Sequence, residues 1–397
     1  MRCRYCYYQA PLPPTGEEKS GERILPLRGQ GGSLMSEEIL ERYVQEYIEA
    51  QTGKEVLFCW HGGEPLLRPI SFYEHALELQ RRYARGRNIT NTLQTNGTLI
   101  THEWAEFFHR NNFLLGVSID GPEWLHNLYR PMRNGEGSWS RVMEGIRILN
   151  EHHVEWNAMA VVNNVTALHP LEFYNFFKEI ECRYIQFTPI VEKAPLRPSD
   201  TSPKGEGRLT SVVRSLSPMG EMSRSDREGL SPESVNPHDF GTFLCTIFDE
   251  WWRKDDAGKY YIQLFDATLA NWMGMEPGVC SMARNCGHAG VIEHNGDVYS
   301  CDHFVFPEHR LGNIRTSTLV SMMYGEKQNA FARMKQGSLP TQCRECEWLF
   351  ACNGECPKNR ILTTVTGERG LNYLCSAYRQ FFSHIATRMD LMKKEIL

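Results

Sequence analysis

The chain has 397 residues, with 43 Lys and Arg against 48 Asp and Glu, a formal net charge of −5, and 41% hydrophobic residues. That length can bury a substantial core in two or three domains, and the mild acidity argues against a nucleic-acid binder, whose usual footprint is a basic patch. No apolar run approaches the roughly eighteen residues of a membrane span, and the opening Met1-Arg2-Cys3-Arg4-Tyr5-Cys6 lacks the charged-then-apolar pattern of a secretory signal. A soluble, cytoplasmic protein without membrane or nucleic-acid partners is expected. Thirteen cysteines, an odd number, with no export signal disfavour a disulfide framework and point to metal or cluster ligation.

In chain order, the first feature is Cys3-x-x-Cys6 with Tyr5 between the two thiols. Alone, such a pair reads equally well as redox-active, as part of a zinc site or as chance. Ser36 then caps a predicted helix with Ile39, Leu40, Tyr43, Val44, Tyr47 and Ile48 on one face and Glu37 and Glu38 in its first turn. Strand-like runs follow at 56–60, 89–95, 113–119, 156–162 and 184–191, separated by helical stretches near 71–85, 101–111, 138–152 and 167–180 and followed by one at 238–254. This alternation predicts βα units around a parallel sheet, with functional residues on the loops after the strand C-termini. Six helices against five strands, with a cysteine loop ahead of the first helix, point to a first strand upstream of Met1. The Pro-, Ser- and Gly-rich segment 195–237 predicts a mobile insertion. Beyond 255 come short apolar runs and cysteines, with Asn295-Gly296 marking a hairpin turn. The expected division is therefore 1–255 and 256–397, the latter ending in a helix.

Three strand ends carry distinctive turns: His61-Gly62-Gly63-Glu64-Pro65, Gln94-Thr95-Asn96-Gly97 and Ser118-Ile119-Asp120-Gly121. Each alone is ordinary turn chemistry. Eight further cysteines follow as Cys280-x5-Cys286, Gly296-x4-Cys301, Cys343-x2-Cys346-x5-Cys352-x3-Cys356 and Cys375, enough for two four-thiolate sites. Spacing leaves zinc and iron-sulfur clusters equally open. Cys59, Cys182 and Cys245 stand singly in apolar segments and read as small core residues.

Cysteines spaced C-x3-C-x2-C can hold three irons of a [4Fe-4S] cluster and leave the fourth open. Here the first would fall two positions before Met1, which suggests that Met1 is an internal methionine. The remainder, with the ordered strand-end motifs, resembles the radical S-adenosylmethionine (SAM) enzymes, and the later cysteines resemble the SPASM domain of their peptide-modifying branch. The resemblance implies a partial (β/α)6 barrel of α/β class followed by a small cysteine-rich α+β domain. It implies that Cys3 and Cys6 hold the SAM cluster beside Tyr5. It also implies that Gly62, Gly63 and Glu64 bind the methionyl end of SAM, that Ser118 and Arg130 contact SAM, that Val191 packs on adenine and that Gln94 faces substrate.

Within that branch the chain most resembles the anaerobic sulfatase-maturating enzymes, a likeness extended by Gln94-Thr95-Asn96-Gly97-Thr98-Leu99-Ile100, Leu264-Phe265-Asp266 and Arg310-Leu311-Gly312-Asn313-Ile314. This implies two auxiliary [4Fe-4S] clusters with interleaved ligands, one on Cys280, Cys286, Cys301 and Cys356 and the other on Cys343, Cys346, Cys352 and Cys375, three clusters in all. Asp302, directly after Cys301, would be the base; without the resemblance it reads as a solvated residue closing a hairpin. The implied reaction oxidises a Cys or Ser of a sulfatase, in a C/S-x-P-x-R context, to Cα-formylglycine, with flavodoxin or ferredoxin as electron donor. Two rivals are a SPASM maturase making thioethers or other peptide cross-links, and a zinc-stabilised binding protein without radical chemistry.

Overall fold

The computed structural model describes residues 1, 3–6, 34–192 and 230–396. Six parallel strands lie side by side in chain order: β1 (Glu55–Trp60), β2 (Asn88–Thr95), β3 (Phe113–Ser118), β4 (Trp156–Val162), β5 (Tyr184–Pro189) and β6 (Tyr261–Ile262). The first five are the runs expected from the sequence. β6 was not expected, because two residues are too few to show a period, and it carries the sheet past residue 255. Between the strands run α1 (Glu37–Ala50), ahead of β1, then α2 (Ile70–Tyr83), α3 (His102–Arg110), α4 (Glu123–Tyr129), α5 (Trp139–Glu151), α6 (Pro170–Glu179) and α7 (Pro237–Arg253). Ser36 caps α1 as expected, accepting from the Ile39 N–H.

Strand alternation gives the sheet two unlike faces. Val56 and Phe58 of β1, Leu93 of β2, Leu115 and Val117 of β3, Ala158 and Ala160 of β4 and Ile185 and Phe187 of β5 are buried, in the cores under the helices. The register puts the alternate residues on the other face, where Gln94 pairs with Gly116, Gly116 with Asn157, and Ser118 with Met159. That concave face stays largely open, with Gln94 exposed and Asn157, Met159 and Val161 half-buried. Cys59 falls on this face and is exposed. The expectation of a core thiol is corrected there by strand parity, while Cys182 and Cys245 are buried as expected.

Residues 195–229 of the expected insertion lie outside the described residues. Its last part, 230–237, is packed: Ser231 donates to the Glu192 carbonyl, Val235 to the Ile190 carbonyl, and Val235 is buried. That strap leads into α7, whose N-cap is Asn236.

After β6 come α8 (Gln263–Trp272), a three-stranded antiparallel sheet of β7 (Val291–Ile292), β8 (Asp297–Tyr299) and β9 (Arg310–Asn313), then α9 (Leu319–Met323), α10 (Glu326–Gly337), α11 (Thr341–Arg344) and α12 (Leu349–Cys352). The hairpin β10 (Leu362–Thr363) and β11 (Arg369–Leu371) precedes the long α13 (Cys375–Ile396). Gly296 occupies the β7–β8 turn at φ +87°, as its Asn-Gly pair predicts. Apolar contacts tie this half to the first. α13 lies along α7 through Tyr378 against Phe240 and Phe381 against Phe248, and Ile39 of α1 joins Val298, Ile314, Leu319 and Met322 in one apolar cluster.

Between Cys352 and Cys356 the backbone turns left-handed three times in succession, at Asn353 (φ 47°), Gly354 (φ 71°) and Glu355 (φ 53°). For a non-glycine residue that conformation costs about 1–2 kcal/mol. Arg360 offsets the strain by donating to the carbonyls of Asn353 (3.3 Å), Gly354 (2.9 Å) and Glu355 (3.2 Å).

α5 approaches the β2 exit loop closely because Gly145 has no side chain: a Cβ there would stand 2.5 Å from the Gly97 carbonyl oxygen and 3.3 Å from Ile100. Gly145→Ala is therefore expected to destabilise the protein by about 1–3 kcal/mol through overpacking, read as a lower urea midpoint at unchanged slope. A variant as stable as the parent would show that the loop yields freely.

Candidate active site and cluster sites

The N-terminal cysteine loop is held by a buried polar network centred on Asp120, just past β3. The Asp120 carboxylate accepts from the Tyr5 hydroxyl, from Arg130 Nε at 2.8 Å and from the Val161 N–H of β4 at 2.9 Å. The Asp120–Arg130 ion pair is nearly water-free, with side chains 1% and 8% exposed. Arg4 N–H donates to the Tyr129 carbonyl, and Cys6 N–H to the Cys3 carbonyl, closing the loop as a turn. Burial pushes the Cys3 thiol up from its ordinary range, and the Arg130 charge opposes that shift. Thus Tyr5 and Arg130, two residues singled out from the sequence, meet on a third that was not.

A second layer fixes Arg130. Burial pulls His126 down to about 3, so it is neutral; its Nδ1 accepts the Asp120 N–H, which places the proton on Nε2, donated to Ser138 Oγ at 2.9 Å. The Ser138 hydroxyl in turn donates to the Arg130 carbonyl at 2.6 Å.

The first two strand-end motifs are tied together by Glu64. Its carboxylate accepts from the Leu66 N–H, the Thr95 hydroxyl (2.7 Å) and the Asn96 N–H (2.9 Å), joining the β1 exit to the β2 exit. Burial raises the Glu64 carboxyl above its usual range, and those three donors act against the rise. Gly62 lies at φ +147°, and a Cβ on Gly62 or Gly63 would meet open space. Bare backbone facing a void fits close approach by a ligand. Gln94 stands exposed on the open sheet face, Ser118 is buried at the end of β3, and Val191 is buried in the core just after β5. Lys358 forms an ion pair with Glu192 and so links the exit of β5 to the segment after Cys356.

The eight later thiols fall into two electrostatic neighbourhoods. Cys280 with Cys286, both of these with Cys356, and Cys356 with Cys301 form one set. Cys343, Cys346, Cys352 and Cys375 form the other. Burial raises Cys280, Cys286 and Cys343, pushes Cys352, Cys356 and Cys375 up to about 12 and takes Cys301 higher still. Thiols so placed become thiolates when a cation compensates them. All four thiols of the second set line one cavity of about 380 Å³, together with Trp348, Tyr378 and Phe382. Four thiols around one such void supply the ligand number of a [4Fe-4S] cluster.

The first set is backed by α10, which the sequence did not mark as functional. Buried Gln328 donates to the carbonyls of Gly287 and Ser300, neighbours of Cys286 and Cys301. One turn on, the Ala332 carbonyl accepts the Cys286 N–H. A further turn on, Lys335 donates to the carbonyls of Cys280, Ser281 and Ala283. Asp302 opens a short 3-10 turn beside this set, its Oδ1 3.2 Å from Cys301 Sγ. Glu355, buried, accepts from Asn359 and Asn372 and faces thiols of both sets. Of these residues, only Asp302 carried a sequence signal; the others are common residue types whose role depends on what the fold packs against them.

Comparison with known proteins agrees with this arrangement. Residues 1–177 match the radical SAM superfamily and residues 280–347 the SPASM iron-sulfur cluster-binding domain. The chain is 55% identical to a serine-type anaerobic sulfatase-maturating enzyme of Bacteroides thetaiotaomicron, over all of this chain and 89% of that one. It is 30% identical to a cysteine-type enzyme of Clostridium perfringens, over 98% and 94% of the two chains. A solved structure of anSMEcpe with bound AdoMet and the Cp18Cys peptide matches with a TM-score of 0.80 at 28% identity, covering 100% of this chain and 96% of that one. With its SAM-binding and cluster-binding parts both accounted for, the chain belongs to the anaerobic sulfatase-maturating enzymes of the radical SAM superfamily.

Proposed function

We propose that this enzyme oxidises the serine of a sulfatase C/S-x-P-x-R segment to Cα-formylglycine, with Asp302 as the base. The serine preference is supported by the greater identity to the serine-type relative than to the cysteine-type one. Cys3 and Cys6 would hold the SAM cluster, Cys280, Cys286, Cys301 and Cys356 the first auxiliary cluster, and Cys343, Cys346, Cys352 and Cys375 the second. Tyr5, Gly62, Gly63, Glu64, Ser118, Arg130 and Val191 would bind SAM. When bound, SAM and its cluster supply a 5′-deoxyadenosyl radical, and the auxiliary clusters an electron store.

Converting a serine side chain to the aldehyde removes one hydrogen atom, one proton and one electron. The proton is the step that needs a protein group, because a hydroxyl is a weak acid and its oxygen must become a carbonyl. Asp302 beside Cys301 is the observation that carries this assignment: it puts a carboxylate, an acceptor when ionised, at the edge of the first thiol set. Gln94, exposed on the open sheet face, would contact the peptide. Flavodoxin or ferredoxin as donor, and a cytoplasmic location, complete the proposal; among the described residues no helix is long and apolar enough to cross a membrane.

Asp302→Asn is expected to lower formylglycine formation by about 10²–10⁴-fold while 5′-deoxyadenosine is still released from SAM. Anaerobic incubation with SAM, reductant and an S-x-P-x-R peptide, read by peptide mass and nucleoside chromatography, tests this. Product at the parental rate would remove Asp302 from the base role, and a Cys peptide converted faster than its Ser twin would overturn the serine preference.

Asp120→Asn leaves the Arg130 charge buried without its partner, which costs about 3–5 kcal/mol. Tyr5→Phe removes one hydrogen bond to a charged acceptor, which costs about 1.5–3 kcal/mol. Both should weaken SAM binding, Asp120→Asn the more, as measured by equilibrium dialysis against labelled SAM. Parental affinity in both variants would show that the network does not position the SAM site.

A further inference from the structure

Among the described residues Lys335 is the one lysine of the largest fully enclosed side chains, at 0% exposure. Its Nζ donates to three carbonyls, those of Cys280 (2.6 Å), Ser281 (2.8 Å) and Ala283 (2.5 Å). Three donated hydrogens use every proton of an ammonium, whereas a neutral amine has two. The carbonyls satisfy the hydrogen bonds and leave the charge uncancelled. A buried charge of this kind is costly unless an opposite charge lies near. Its electrostatic partners are the thiols Cys280, Cys286 and Cys356, together with Glu355. The carboxylate of Glu355 is engaged with Asn359 and Asn372.

The two thiol sets differ in this respect. Arg360 and Glu355 face both. The other cations near the second set, Arg344 and Arg379, are exposed, so water screens them. Lys335 is the cation withdrawn from water, and it stands on the first set alone among these partners. Four thiolates outweigh the positive charge of a [4Fe-4S] core, so the ligated site is anionic, and one-electron reduction adds a further negative charge. A fixed cation in a low-dielectric surround favours the reduced form, because cluster potentials follow local charge and solvent exposure.

We propose that the Lys335 ammonium is the built-in counter-charge of the cluster site on Cys280, Cys286, Cys301 and Cys356 and raises the reduction potential of that site. Lys335 is in this sense a positioning and charge-setting residue, not a catalytic one. The proposal rests on the ligand assignment made above.

The test is an EPR-monitored potentiometric titration, with dithionite as reductant, of the anaerobically reconstituted chain carrying Cys3→Ala and Cys6→Ala, so that the auxiliary clusters alone are read. Lys335→Gln keeps hydrogen-bond donors and removes the charge; Lys335→Arg keeps the charge. In the Gln variant, iron should stay at the level of the Cys3→Ala/Cys6→Ala parent. At the parent midpoint, the reduced-to-oxidised ratio of one cluster should fall about tenfold, equivalent to 59 mV for a one-electron couple. The other cluster should not move, and the Arg variant should titrate like the parent. Unmoved midpoints, equal shifts in both clusters, or loss of iron from the Gln variant would each overturn the proposal. A parent that takes up zinc and no iron would instead overturn the ligand assignment beneath it.

Discussion

The second half of the molecule depends on one strained turn. Cys352 and Cys356 are four residues apart, a spacing that in a helix would place them on one face. Three left-handed residues, Asn353, Gly354 and Glu355, send them to different thiol sets instead. Such a run is unfavourable alone and persists because Arg360 takes its three carbonyls in succession. At Gly354 a Cβ would stand 2.3 Å from Leu339 Cδ2 and 2.6 Å from an Arg360 Nη, so a larger residue there would have to displace one or both side chains. The interleaving of the two sets follows from this turn, since Cys356 leaves its sequence neighbours to join Cys280, Cys286 and Cys301. Glu355, at the pivot, is enclosed between the sets and held by two asparagine amides.

The first half is organised by a contrast between the two faces of one sheet. The helices cover the outer face with closely packed aromatic residues, among them Phe173 against Phe243 and Phe187. That rigid backing leaves the inner face free to remain open, and the strand-end motifs surround it. Asp120 connects this scaffold to the N-terminal cysteines. Its carboxylate takes one bond from the loop through Tyr5, one from Arg130 and one from β4, so one buried anion ties the loop of Cys3 and Cys6 to the sheet, beside the Arg4 bond to the Tyr129 carbonyl. Placing such a group in the interior is costly, and the cost is offset because every contact it makes is charge-assisted. Glu64 does the same service between β1 and β2.

The two halves meet through interactions of different kinds. α13 against α7 combines aromatic packing with ion pairs of His384 and Arg388 to Asp249, while Lys358 with Glu192 is a single ion pair close to Cys356. The ion pair matters for its place: it joins the end of β5, beside the open face, to the segment that follows the shared turn. Asp302, on the first thiol set, belongs to the half that this pair joins to the exit of β5.

By itself the sequence determined the period of the elements and the chemistry of the thiols. Local apolar patterns identified β1 to β5 and the helices of that half except the short α4 (Glu123–Tyr129), because burial on one face imposes a period that is local in the chain. The thiol spacing marked the ligand-bearing half, because ligand loops are short, and the resemblance to a known family distinguished clusters from zinc and gave Asp302 a role. Tertiary structure decided the rest. It put Cys59 on the open face, where parity counted from the core outranks an apolar neighbourhood. It found β6, too short to carry a pattern. It also assigned charges that look like ordinary surface residues in sequence: Asp120 in a turn, Arg360 beside a loop, and Lys335 on a helix of mostly polar residues. Whether such a charge is solvated or enclosed depends on segments far away in the chain, the Cys280 loop for Lys335 and the N-terminal cysteines for Asp120, and no local pattern records which segments those are.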